Sequence, residues 1–139
     1  MTWPGGIELI KTFSNGTYQP VEGGEKAVLL AVDHEVTDIV AWLWGKPDHW
    51  WTRHGDAPLL NPDAIDLSVG LRHPLRIFPS PRAWLLGKGK GVVILDDTAD
   101  LRFWFGGVER LLVHDQAALT RIESAFQERR PEVRVDAIA

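Results

Sequence analysis

The chain has 139 residues, 45% of them hydrophobic, carries a net charge of −4 and contains no cysteine, so one domain over residues 1–139 with a sizeable core is predicted. The lack of cysteine excludes disulfides, thiolate metal ligands and cysteine nucleophiles, and the acidic balance makes nucleic-acid binding an unfavoured function. No uncharged apolar run is long enough for a membrane span, and the N-terminus lacks a signal-peptide pattern, so we expect a soluble, cytoplasmic protein without membrane partners.

The first part of the chain predicts a hairpin, a strand and a helix. Residues 7–13 and 17–21 flank Ser14-Asn15-Gly16, an Asn-Gly turn signal that is typical of a β-hairpin. The continuous apolar run 26–32 predicts a strand that is covered on both faces. Apolar residues then recur at helical spacing, which predicts the first main helix over about 34–44.

The middle of the chain is interrupted by proline and glycine. Residues 46–71 are interpreted as a loop with a short helix that starts at Asn61-Pro62, because proline favours the first helical position. A short strand over 75–78 and a brief helix from Ser80-Pro81 follow. A glycine-rich turn over 87–91 then leads into a strand over 92–95.

The last part is ambiguous at one point. Residues 98–105 fit either a helix face or an alternating, aromatic-rich strand, and the Gly106-Gly107 pair favours a strand in a hairpin with 108–113. The second main helix is predicted over about 115–129 with Asp115 as its cap, and a strand over 133–138 closes the chain. The prediction is a single α+β domain, a mixed β-sheet packed by two main helices plus short helical turns.

Ionisable residues follow the predicted strands 26–32, 92–95 and 108–113. The last two of these strands are expected to point the same way, so their carboxyl ends should share one edge of the sheet. Imidazole and carboxylate groups gathered there suit a divalent metal, and they predict, as an alternative function, a metal-dependent hydrolase. The candidate ligands are Asp96, Asp97 and His114, with His34 as a further ligand if the strand 26–32 ends at the same edge. The same residue types also serve as helix caps and turn formers.

Two further segments are candidates for binding. Trp50, Trp51 and Arg53 lie in a tryptophan-rich stretch that either anchors a loop on the core or forms a contact surface. Residues 67–95 carry five bases and no acid, which is either a scattered solvent-facing set or a docking patch for an acidic partner. These bases are Arg72, Arg76, Arg82, Lys88 and Lys90, and His73 lies in the same segment.

Familiar local catalytic signatures are absent from the sequence. There is no GxxxxGK[ST] and no Gly-x-Ser-x-Gly, and the glycine-rich turn over 87–91 precedes a strand, whereas phosphate-binding loops open a helix. We therefore expect a non-enzymatic domain without a cofactor. It would bind another macromolecule, by preference a protein or a second copy of itself, through the tryptophan-rich loop, the basic segment or both. A weak single-stranded nucleic-acid binder is the third hypothesis.

Overall fold

The elements of the fold are taken from a computed structural model that describes residues 5–128. Within that range the chain forms nine strands and four helices. In chain order they are β1 Gly5–Thr12, β2 Tyr18–Pro20, β3 Glu25–Ala31, β4 Ile39–Leu43, β5 Trp51–Thr52, β6 Leu59–Leu60, α1 Asp63–Leu71, β7 Leu75–Phe78, α2 Pro81–Leu86, β8 Val92–Ile94, α3 Leu101–Phe105, β9 Leu111–Leu112 and α4 Gln116–Glu128.

The first five strands form an antiparallel sheet in the order β2-β1-β3-β4-β5. The sheet curls until its two edges meet, because Thr17, just before β2, forms a bridge with Thr52 in β5. The Thr52 N–H donates to the Gly16 carbonyl oxygen at 2.9 Å. This closure encloses a small core of alternate strand residues: Ile10, Tyr18, Ala27, Leu29, Ala41 and Leu43.

The remaining strands form a mixed sheet in the order β6-β8-β7-β9, in which β7 pairs in parallel with both β8 and β9. One face of this sheet, with Trp84 of α2, packs against the first sheet. The other face is covered by α1, α3 and α4, which contribute Ile65, Phe105 and Ile122 to a second core. The predicted α+β class with a mixed sheet is confirmed, and a separate antiparallel sheet accompanies it.

Local capping signals confirm several of the predicted elements. The Asn15 carboxamide oxygen accepts the backbone N–H two residues on at 3.0 Å, which closes the β1–β2 hairpin. The Ser80 hydroxyl and the Asp115 carboxylate each accept the N–H three residues on, at 3.1 and 2.8 Å, and begin α2 and α4. The short helix after Asn61-Pro62 is present as α1.

The first main helix, predicted over 34–44, is wrong. Residues 39–43 form β4, which pairs with β3 from Ala31↔Ile39 to Ala27↔Leu43. Four of the five β4 residues are buried, so the run is apolar on both faces, and periodicity alone does not separate such a run from a buried helix. Before it, Val36 is left-handed at φ 57°, and Asp33 accepts the Thr37 N–H at 3.0 Å in a turn.

The strand predicted over 98–105 is also wrong, because residues 101–105 form α3. Its N-cap is Asp100, whose carboxylate accepts the Phe103 N–H at 3.3 Å. Of the strand predicted over 108–113, only Leu111–Leu112 pairs, as β9. The strand predicted over 133–138 and the last residue predicted for the second main helix lie outside the described residues.

Candidate functional site

An open groove lies between α1 and the loop that follows α2, and we call it the α1–α2 groove. Its volume is about 780 Å³. One wall is a single face of α1, because the lining positions 63, 64, 67, 68 and 71 follow the helical repeat. The opposite wall is the end of α2 and the loop 87–91, and Leu75 and Arg76 of β7 form the floor. The groove thus joins three elements that are distant in sequence.

The apolar part of the groove includes three leucines that the fold leaves exposed. Leu67, Leu71 and Leu85 are 64%, 59% and 43% exposed. The side of α1 that packs into the helix-covered core is a different one, represented by the buried Ile65. Single exposed leucines are ordinary on protein surfaces, but these three line one groove and give it an exposed apolar surface.

The basic part of the groove comes from the one-signed segment. Arg76, Lys88 and Lys90 line it, and so does His73. Among the lining residues Asp63 is the single acid, and its carboxylate accepts the backbone N–H of His34 at 3.4 Å. The groove therefore carries a net positive charge next to its leucines, although the whole chain is acidic.

The loop that carries the two lysines is held in place from below. The Asn61 carboxamide N–H₂ donates to the Gly91 and Gly89 carbonyl oxygens at 2.9 and 3.3 Å. The Trp84 indole N–H donates to the same Gly91 oxygen at 2.8 Å. Asn61 and Lys88 both adopt left-handed backbone conformations, with φ of 62° and 61°. Because these anchors are buried, the loop presents its lysines from a fixed backbone.

Backbone N–H groups of this loop are already used within the protein. Those of residues 88, 89 and 90 donate to the carbonyl oxygens of residues 85, 84 and 87 at 3.0, 2.9 and 3.4 Å. An anion in the groove would therefore meet the lysine and arginine side chains, whereas in a phosphate-binding loop it would meet the backbone.

The other predicted binding residues lie elsewhere. Arg72 and Arg82 are exposed but do not line the α1–α2 groove. Trp50 packs against the core between the sheets and donates its indole N–H to the Leu95 carbonyl oxygen at 3.1 Å. Trp51 packs against the core of the closed sheet. The two tryptophans are thus partly buried anchors of their loop.

Arg53 also takes part in the fold, because its guanidinium donates to the Tyr18 carbonyl oxygen at 3.4 Å. The exposed tryptophan that sequence reasoning missed is Trp44, 63% exposed at the end of β4, with the Lys26 ammonium 4.8 Å from its ring centroid. The groove leucines were missed as well. The signal for Leu67 and Leu71 is their spacing of four residues in a short helix, away from the buried Ile65.

Of the candidate metal ligands, the structure brings Asp97 and His114 together. They line a cavity of about 570 Å³ with Asp115, so the two strand ends meet at one edge as the topology predicts. Their side chains already have partners there. Asp97 is paired with Arg121, and the His114 Nε2 lies 3.3 Å from the Asp115 carboxylate.

Of the remaining two candidate ligands, Asp96 lies beside Asp97 but does not line this cavity, and His34 lies in a different groove. The Asp96 carboxylate accepts the N–H and the hydroxyl of Thr98 at 2.8 and 2.7 Å, and His34 lines the α1–α2 groove. Among residues 5–128 no group of three or more His, Asp or Glu side chains lies where it could hold a metal ion.

Comparison of the chain with protein-family models, with curated proteins and with solved structures finds no match. In the part of the chain that the structure describes, no helix is both long enough and apolar enough to span a membrane.

Proposed function

We propose that this protein acts by binding and that it holds a protein partner in the α1–α2 groove. The observation that carries the proposal is the meeting, in one groove, of three exposed leucines with Arg76, Lys88 and Lys90. Apolar contacts supply affinity when water is excluded from them, and complementary charges select the partner and speed its approach. The partner surface is therefore apolar and acidic.

The solvent exposure of the groove leucines supports a macromolecular partner. A small-molecule site encloses most of its ligand, whereas Leu67 and Leu71 are each more than half exposed in the free protein. A protein that lies along the groove would cover them and also reach the lysines at the rim. We also propose a cytoplasmic location, which the lack of cysteine fits, and a second copy of the chain is one possible partner.

The test is capture of partners from the source cells by the wild-type protein and by Lys88→Glu/Lys90→Glu. The matched control is Lys46→Glu/Arg110→Glu, which makes the same change in net charge at two exposed positions outside the groove. We expect a partner that the wild type and the control retain and the groove variant loses. Binding of that partner is then measured with the purified proteins.

Either of two results would contradict the proposal. The first is that the groove variant retains every partner that the wild type retains. The second is that the groove variant and the control lose the same partners to the same degree, which would indicate a general effect of net charge.

A further inference from the structure

We infer that the element of the partner that occupies the α1–α2 groove is an acidic amphipathic helix. This inference rests on the proposed function and deepens it by naming the recognised structure. Its apolar side would lie on Leu67, Leu71 and Leu85, and its carboxylates would lie against Lys88, Lys90 and Arg76. The groove does not suit the other common modes of peptide recognition.

An extended peptide has no strand to pair with in the groove. The strand residues of its floor belong to β7, which lies between β8 and β9 in the sheet. Leu75 pairs with Leu111 on one side, and Ile77 pairs with Val92 on the other. Addition of a strand needs a free sheet edge, so the main-chain hydrogen bonds that give such binding its affinity are lacking here.

A polyproline segment also lacks its usual contacts. Proline-rich ligands lie against exposed aromatic rings. The aromatic residue at this groove is Trp84, which is fully buried and whose indole N–H is bound to Gly91. The surface offered to a ligand is aliphatic.

A helix matches the groove in length and in pattern. The lining face of α1 runs from position 63 to position 71, about 12 Å at the rise of an α-helix. Two turns of a partner helix span a similar length and present apolar side chains at i, i+3 or i+4, and i+7. The bases at the rim then select acidic residues on the flanks of that apolar stripe.

The experiment uses three synthetic peptides of about 15 residues, each with an attached fluorophore. The first is an acidic helical peptide, cross-linked between side chains, with leucines at helical spacing and glutamates on both flanks. In the second, lysine replaces every glutamate. The third has the composition of the first, with its leucines at every second position and no cross-link. Fluorescence anisotropy gives the Kd of each peptide for the full chain.

We expect the acidic helical peptide to bind with a Kd between about 10 μM and 1 mM and the other two to bind at least about tenfold more weakly. Lys88→Glu/Lys90→Glu should weaken the acidic peptide about tenfold or more and let the lysine peptide bind, which also shows that the variant is folded. Leu67→Ala should weaken binding about tenfold because most of this side chain becomes buried only in the complex. The control is Leu86→Ala, since Leu86 is equally exposed but does not line the groove.

Two results would overturn the inference. In the first, the alternating peptide binds as well as the helical one, and the groove then takes extended chains. In the second, the acidic helical peptide binds no better than the lysine peptide. In both cases the proposed function still holds if the protein captures a cellular partner whose binding requires Lys88 and Lys90. If no such partner is captured either, the proposed function fails as well.

Discussion

Asn61 links the stability of the fold to the geometry of the α1–α2 groove, and two substitutions separate its contributions. Its side chain donates to the carbonyl oxygens of Gly91 and Gly89 at 2.9 and 3.3 Å, and its backbone is left-handed at φ 62°. Asn61→Gly removes the hydrogen bonds and keeps the backbone relaxed. Asn61→Ala removes the same hydrogen bonds and places a Cβ in a left-handed conformation without the polar side chain that tolerates it.

The expected losses differ for this reason. Removal of two buried hydrogen bonds costs about 1–3 kcal/mol, and the Gly91 oxygen keeps its bond from the Trp84 indole. The left-handed strain adds about 1–2 kcal/mol for alanine, partly offset by the extra chain entropy of glycine in the unfolded state. We therefore expect Asn61→Gly to lose about 2 kcal/mol and Asn61→Ala about 3 kcal/mol of the free energy of unfolding.

Urea unfolding measures both values. With a slope of about 2 kcal/mol per molar urea, the midpoints should fall by about 1 M and 1.5 M. Equal stability of Asn61→Ala and Asn61→Gly would refute this prediction, because a Cβ at position 61 would then cause no left-handed backbone strain. A loss below about 0.5 kcal/mol for both variants would show that the hydrogen bonds to the loop contribute nothing.

Three further predictions concern the rest of the fold. Asp38 is 1% exposed and accepts three backbone N–H groups, two on one carboxylate oxygen and one on the other. In Asp38→Asn an amide N–H₂ replaces one of these oxygens and faces an N–H donor, so the free energy of unfolding measured in urea should fall by about 2 kcal/mol. An unchanged midpoint would contradict this. Gly91→Ala would place its Cβ 2.3 Å from the Arg76 carbonyl oxygen and should lower the melting temperature by more than 10 °C, while Gly6→Ala, with open space around it, should change it little. Burial, with the nearby carboxylates of Glu8 and Asp38, raises the pKa of Tyr18 from 10.0 to about 12. Tyr18 ionises first in the unfolded state, so up to about 3 kcal/mol of stability, present below pH 10, should be lost between about pH 10 and 12. The tyrosinate absorbance reports this group alone, since Tyr18 is the single tyrosine, and a midpoint near pH 10 in the folded protein would refute the assignment.

Local chemistry made part of this fold predictable. The β1–β2 hairpin and the starts of α2 and α4 follow from Asn15, Ser80 and Asp115, each of which satisfies a backbone N–H two or three residues away. Such interactions are contained within a few residues, so the sequence shows them directly. The common direction of β8 and β9 agrees with the prediction, but β7 lies between them, in the place of the strand predicted over 98–105.

The wrong predictions concern segments whose structure depends on contacts with residues that are distant in the sequence. The sequence of residues 39–43 fits a helical pattern. In the fold these residues pair with β3, and the strand is favoured because both of its faces are then buried. The closure of the first sheet depends on Thr17 and Thr52, which are far apart in sequence. The α1–α2 groove shows the same limit. The sequence shows the basic segment, but only the fold shows which of its residues line the groove. Arg76, Lys88 and Lys90 lie in the groove with the leucines, whereas Arg72 and Arg82 lie outside it.

α1 has apolar residues on two sides, and the fold accounts for one of them. Ile65 packs into the core, whereas Leu67 and Leu71 remain mostly in water, so little of their burial free energy contributes to the stability of the free protein. The loop opposite them is fixed by Asn61 and Trp84 before any partner arrives. Since little backbone has to be ordered on binding, more of the burial free energy of the leucines is available for association. The groove therefore combines apolar surface that the fold does not use with charges on a backbone that is already in place, and these are the properties expected of a docking site for an acidic helix.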